Sequence, residues 1–408
     1  EVSTSTTEMT HFSEHTRAWL AEADLAHRKR HGQYMTPAPL REALIDQLDL
    51  QPGMRVLDPG VGTGEFLRSV LEREPSAQVY GWDVDTDVLD VANNNVPSSH
   101  LEERDALIPY NDEPFDLVIG NPPYFQFNAD RAIRSHYGQV ISGRVNIFSL
   151  YFQVGLSALR PGGQLGYVVP PSMNNGAYFD ALRNYLTTTA RVEWLKVFND
   201  HDLFADAQTS VQLIVLRAEQ GRSKHLFTRR APSANFSRTI FSQHPGKLRK
   251  QFDGRSTLYE LGYEAVTGTV VWNQNKDRLH HTPGPGRVPL IWAQNISDGR
   301  VVLQDVPKRP QYVETNKVLR GPAIVANRIV GSVGSASFRC GLVPDGMEFV
   351  GENHVNVIRP RKGTSQTVPW DELLTLLSVD EISSRARLVT GNTQISATEL
   401  NHLLPLGA

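Results

Sequence analysis

Cysteine is almost absent. Cys340 stands alone in 408 residues, so no disulfide can close within the chain and no multi-thiolate metal site can form. That usage fits a reducing compartment. No run of ~18 apolar residues occurs, so no membrane-spanning helix is expected. Residues 1–10 are polar and lack the apolar centre of a secretion leader, so they read as the start of a domain. No histidine spacing matches a zinc set, and His280-His281 reads as a solvated pair. Two nucleotide signatures are also missing: the Gly-x-Gly-x-x-Gly of dinucleotide sites and the Gly-Lys-Ser/Thr of triphosphate loops. Net positive charge is lacking as well, the total being -3.

What is present is an ordinary globular composition, 40% hydrophobic and 21% charged, with length for two or three domains. The charge is polarised along the chain. Residues 221–370 carry 22 Lys and Arg against 10 Asp and Glu, whereas the rest carry 19 against 34. A basic segment of this kind is either a solvated face or the footprint of phosphate contacts.

Residues 11–31 show helical spacing of Phe12, Trp19, Leu20 and Leu25, and Gly32 to Pro37 then interrupt the pattern. A short helix follows with Leu40, Leu44 and Leu48 on one face. Thr36-Pro37 suits the cap and first turn of that helix. A strand through Val56 and Leu57 ends at Asp58 and enters Gly60-Val61-Gly62-Thr63-Gly64, and a helix begins near Glu65. Glycines there let the backbone pass close to a ligand, and the helix start offers unpaired amide N–H groups. A second strand, 78–82, ends at Asp83, about 20 residues beyond the turn, where a carboxylate can accept from ribose hydroxyls. Asp83 would equally serve a turn or cap. Asp105 follows a weak third strand, and 115–120 forms a fourth that stops at Asn121-Pro122-Pro123-Tyr124. A helix over 147–159, ended by Pro161-Gly162-Gly163, and strands over 165–169, 192–198 and 211–216 complete the pattern. It predicts a doubly wound, mostly parallel α/β sheet of seven strands with a reversed last hairpin. Ligands of such sheets sit at the carboxyl ends of the strands, where Asp58, Asp83, Asp105 and Asn121 all fall.

The tetrapeptide suits one task. An exocyclic amino group on a heteroaromatic ring is a poor nucleophile because its lone pair is delocalised. Two fixed acceptors, the Asn121 side-chain oxygen and the Pro122 carbonyl, can hold both hydrogens and favour a tetrahedral nitrogen. The prolines fix φ and keep the carbonyls aimed, and Tyr124 is expected to stack on the ring. The upstream half then calls for an adenosyl ligand, with its ribose at Asp83, its base near Asp105, and its charged end at Asp58 and the turn of Gly60 and Gly62. S-adenosylmethionine fits, and neither a metal nor a covalent nucleophile is required. Cytosine ring-carbon methylation needs a thiolate beside its target, and Cys340 lies far down the chain.

Together these motifs resemble those of the TaqI-type (γ-class) adenine-N6 DNA methyltransferases, over roughly residues 30–217. The resemblance implies a class I S-adenosylmethionine-dependent methyltransferase sheet followed by a mixed, β-rich target-recognition domain. It makes 32–37, with Thr36, the segment contacting the methionine part of the cofactor, and it places Asn121 beside that cofactor as well as at the target amine. Asp105 becomes the adenine-contacting acid, Phe148 an aromatic on the following helix, and Phe204 the aromatic stacking on the other face of a flipped base, with Phe198 as its rival. The domains expected are 1–31, a helical extension; 32–220, cofactor binding and catalysis; and 221–408, DNA recognition. In the last, strands are predicted near 288–292, 323–327 and 354–358. Asn273, Lys276 and Arg328 are candidate DNA contacts, and Glu352-Asn353-His354 is either part of the recognition surface or a hydrogen-bond cluster. The expected substrate is an adenine in double-stranded DNA, and the expected state a monomer in a prokaryotic cytoplasm, with any cognate nuclease or defence-system subunit on another chain. Two other readings stay open: methylation of a protein glutamine or of structured RNA, and a DNA-recognition subunit that needs a partner.

Overall fold

The computed structural model describes residues 11–30, 32–199, 210–304, 306–328, 337–390 and 394–408. Contacts divide the chain into two units, the first running to residue 227 and including 239–245, the second comprising 228–238 and 246–408. The first unit is laid down as α1 (Glu14–Glu22), α2 (Leu25–Arg30), α3 (Ala38–Ile45), β1 (Arg55–Asp58), α4 (Glu65–Arg73), β2 (Gln78–Asp83), α5 (Thr86–Asn95), β3 (His100–Glu103), β4 (Phe115–Gly120), α6 (Arg131–Tyr137), α7 (Ile147–Ala158), β5 (Leu159–Val169), α8 (Asp180–Thr189), β6 (Arg191–Phe198) and β7 (Val211–Arg217).

Its strands form one sheet in the order β3-β2-β1-β4-β5-β7-β6. β1 pairs in parallel with β2 and β4, and β7 runs antiparallel to β5 and β6. The doubly wound fold with its reversed final hairpin is therefore observed. Strand alternation explains its two covered faces. Val56, Leu117 and Ile119 join Leu40 and Leu44 of α3 and Leu67 of α4 in one core. Leu57 and Val118 point the other way and join Phe148 and Phe152 of α7. Each such side chain contributes roughly 1.5–3 kcal/mol by burial, which holds the central strands, and hence their carboxyl ends, in fixed register.

Two local expectations change. The helix over 11–31 is two helices, because Ala23 takes extended backbone (φ -68°, ψ 132°). Leu25 is 57% exposed and does not continue the apolar stripe. α1 docks through polar groups instead: the Ser13 N–H donates to Glu65 Oε1 (2.9 Å), Ser13 Oγ to Asn95 Oδ1 (2.7 Å) and Thr16 Oγ1 to Thr63 Oγ1 (3.1 Å). Pro161-Gly162-Gly163 does not precede the strand but bulges within β5: Phe115 faces Leu159, while Leu117 already faces Gln164.

The second unit holds a six-stranded and a five-stranded sheet, with helices Trp370–Leu377, Glu381–Thr390 and Ala397–His402 near its end. The three predicted strands are present as Arg287–Ile291, Ala323–Asn327 and Val355–Pro360. His280 is not simply solvated, since its Nε2 lies 2.7 Å from Glu314 Oε1. No helix among the described residues is long and apolar enough to cross a membrane.

Candidate active site

A cavity of about 380 Å³ opens at the carboxyl ends of β1, β2 and β4, lined by Gly32, Gln33, Thr36, Asp58, Gly60, Gly62, Asp83, Asp105, Asn121 and Tyr151 among others. That volume lies within the range of small-ligand sites. Every candidate cofactor contact named from the sequence lines it.

Asp58 ends β1 and is 2% exposed. Its Oδ1 accepts the Gly60 N–H at 3.1 Å. Burial pushes its carboxyl up to about 8, with nearby Asp83 adding to the shift against that hydrogen bond. Asp83 ends β2, where its Oδ2 accepts the Gly62 N–H and its Oδ1 the Asp85 N–H, both at 3.0 Å. Burial raises its carboxyl as well, opposed by those amide bonds. One carboxylate thus fastens the glycine turn, where Gly62 has φ +53°, to the neighbouring strand. Asp105 Oδ1 accepts the Leu107 N–H at 2.9 Å, turning the chain back after β3. Gly120 explains its own small side chain: a Cβ there would sit 2.6 Å from Asp58 Oδ1.

Asn121 follows β4 directly, and its amide is held on both sides. Nδ2 donates to the Tyr34 carbonyl (3.1 Å) and to Thr36 Oγ1 (3.0 Å), and Oδ1 accepts from the Tyr124 hydroxyl, which also reaches the Val168 carbonyl. With both amide hydrogens used, the orientation of Asn121 is set by the network, and Oδ1 keeps a lone pair. Thr36 is not the cap of α3, which is Pro37; its hydroxyl serves Asn121 instead. It is 5% exposed, α3 begins after Pro37, and the Thr36 carbonyl accepts from the buried Arg41 guanidinium at 2.6 Å. The Tyr124 ring lies nearly parallel to that of Tyr34 (centroids 6.5 Å apart, planes at 17°) and meets Phe148 edge-on. Phe148 itself is fully buried.

Of the further lining residues Gln33, Tyr34 and Tyr151, the first two belong to the 32–37 segment expected at the cofactor, whereas sequence reasoning missed Tyr151. The first two precede α3 on a segment pressed against the loop: a Cβ on Gly32 would lie 2.7 Å from Pro123 Cβ, and Gly32 has φ +61°. Gln33 Nε2 donates to Asp85 Oδ2 at 2.9 Å, while its buried Oε1 has no partner. Tyr34 is 52% exposed, an aromatic in the open beside Asn121. Phe204 lies outside the described residues; Phe198 ends β6, paired with Val211. In the second unit, Lys276 Nζ sits 5.3 Å over the Trp272 ring, Asn273 is exposed, and Arg328 Nη1 donates to the Asn353 carbonyl at 2.8 Å.

The sheet order is that of the class I S-adenosylmethionine-dependent methyltransferase fold. The donor set fits that cofactor on its own terms: buried carboxylates favour a cationic ligand, and the unpartnered Gln33 Oε1 awaits a donor. Comparison with known proteins narrows the class. Residues 77–204 match the model of the Eco57I restriction-modification methylase family. The type II methyltransferase M.BsuBI of Bacillus subtilis is 22% identical over 92% of this chain and 87% of its own length. A release factor glutamine methyltransferase of Caulobacter vibrioides is 30% identical over 33% of this chain and 54% of its own. Among solved structures, a type I restriction-modification methyltransferase subunit of Streptococcus thermophilus aligns with TM-score 0.42 and 18% identity, covering 54% of this chain and 53% of that one. The chain is similar to methyltransferases of restriction-modification systems.

Proposed function

We propose that this protein methylates the exocyclic N6 amine of an adenine flipped out of a specific double-stranded DNA sequence, in the manner of the γ class. The observation that carries the reading is the fixed amide of Asn121 at the rim of the cofactor cavity. S-adenosylmethionine, when bound, supplies a methyl group on a sulfonium whose departure leaves a neutral thioether. Asp83 would hold its ribose, Asp105 its base, and Asp58 with the glycine turn its charged end.

Asn121 Oδ1 and the Pro122 carbonyl receive the two N–H hydrogens of the target. Tyr124 has one hydroxyl hydrogen and two acceptors, so it can turn that hydrogen wholly to the Val168 carbonyl as the amine arrives at Oδ1. The ring of Tyr124 supplies stacking that offsets the few kcal/mol of unstacking the base, a role in which the family resemblance gives Phe204 a share. Basic residues of 221–370 neutralise phosphates and position the duplex, and Asn273, Lys276 and Arg328 are the candidate DNA contacts.

The similarity to a glutamine methyltransferase supports one competing reading, a protein amide as acceptor. The test is transfer of labelled methyl from S-adenosylmethionine to genomic DNA free of adenine methylation, run beside a glutamine peptide. DNA is the expected acceptor, and Asn121→Ala is expected to lower turnover by at least about 100-fold with cofactor binding retained. Labelling of the peptide and not of DNA would overturn the proposal.

A further inference from the structure

The second unit has a pocket of its own, of about 630 Å³, lined by Trp272, Trp292, Lys308, Arg309, Glu352 and His354 among others. Its walls combine three kinds of chemistry. Trp272 is 39% exposed, with Lys276 Nζ 5.3 Å from its ring centroid. Trp292 is buried, and its indole N–H donates to the Pro310 carbonyl at 2.9 Å, which fixes the ring plane.

The Glu352 side chain is 2% exposed and accepts the His354 N–H (2.9 Å) and His354 Nδ1 (2.9 Å). Two carboxylate oxygens offer about four acceptor positions, so capacity remains for a ligand. The backbone holds this carboxylate in place: Val270 pairs with Glu352, and a Cβ on Gly268 would lie only 1.9 Å from the Glu352 carbonyl oxygen. At the rim, Lys308 takes φ +69° in the turn bridged by Val306 and Arg309. That conformation is one non-glycine residues seldom adopt, and it puts a cation at the corner.

We infer that this pocket receives an unstacked nucleobase that presents N–H groups to Glu352, with Trp272 as its stacking surface and Lys308 and Arg309 toward its phosphate. The inference rests on the DNA reading above and adds a second base site, one that reads identity. Cytosine and adenine offer an exocyclic amine, and guanine offers N1–H with its amine. Thymine offers one N–H between two carbonyls, whose oxygens a carboxylate repels. The pocket is thus selective against thymine.

The test is single-molecule sequencing of DNA from a host without adenine methylation that expresses the wild-type chain, Trp272→Ala or Glu352→Gln, with cofactor binding measured on each protein. Absence of any wild-type methylation would sink the proposed function itself, a result distinct from those that follow. Trp272→Ala is expected to reduce occupancy of the wild-type motif by about tenfold or more while binding S-adenosylmethionine normally. Glu352→Gln, which replaces an acceptor with a donor, is expected to admit thymine at one motif position. If both variants reproduce the wild-type motif and occupancy within about twofold, the pocket is not a base site. Should Glu352→Gln fail to fold, Trp272→Ala decides alone, because its position is exposed.

Discussion

Replacing Asp58 by Asn should stabilise the free protein while weakening its cofactor. In the folded chain the Asp58 carboxyl is pushed up to about 8 from an ordinary 3.8, chiefly by burial. A group whose folded value is raised contributes stability that is complete below the unfolded value and is lost as pH climbs through the folded one. For Asp58 the loss runs from about pH 4 to about pH 8, at about 1.4 kcal/mol per unit, or about 4 kcal/mol by pH 7. Asn has the shape of the protonated acid and can still accept the Gly60 N–H, but it never ionises. The stability gap between variant and wild type should therefore be small near pH 4 and widen as pH rises. At about 2–4 °C per kcal/mol for a unit of this size, the melting temperatures should separate by roughly 10 °C at neutral pH. The assay is thermal unfolding of the cofactor-free proteins from pH 5 to pH 8, followed by intrinsic fluorescence. Groups distant from Asp58 cancel in the difference, whereas Asp83, which couples to it, titrates lower in the variant and widens the gap. The same carboxylate should make wild-type affinity for S-adenosylmethionine rise with pH up to about 8, since a cationic ligand favours the ionised form, and this slope should vanish in Asp58→Asn. A gap that stays constant across the pH range would refute the argument.

Other outcomes follow from the same geometry. Gly32→Ala forces a methyl group toward Pro123 at φ +61°, so it should displace the 121–124 loop and cut turnover at least tenfold while leaving the melting temperature within a few degrees. Tyr124→Phe leaves the Val168 carbonyl without its hydroxyl partner and should cost about 1–3 kcal/mol, read as a lower unfolding midpoint. Non-specific duplex binding should fall steeply between 50 and 200 mM salt, by at least about 1,000-fold if six or more phosphates are neutralised; a flat profile in a fluorescence titration would remove 221–370 as the phosphate contact.

The cofactor half was legible because its signals are local. Asp58, Asp83 and Asn121 each terminate a strand that the apolar pattern already located, and a parallel sheet gathers such ends on one edge. Gln33 and Tyr34 were expected only as part of the 32–37 segment, without individual roles. Their place depends on a segment before α3 pressing Gly32 against Pro123, a contact across some ninety residues of sequence. The break at Ala23 escaped notice because α1 is held by Ser13 and Thr16 rather than by apolar spacing. The bulge at 161–163 was misplaced because Pro-Gly-Gly marks a turn whether it precedes a strand or interrupts one. Short strands with two or three residues each, such as Leu279–His280 and Tyr312–Glu314, left the second unit legible only as β-rich. Its pocket was out of reach because Trp272, Lys308 and Glu352 meet only in three dimensions.

The most direct measurement is nucleoside mass spectrometry of DNA from a host without adenine methylation that expresses this chain. N6-methyldeoxyadenosine should appear with the wild-type protein and disappear with Asn121→Ala. Its absence with the wild type, or its persistence in the variant, would contradict the account.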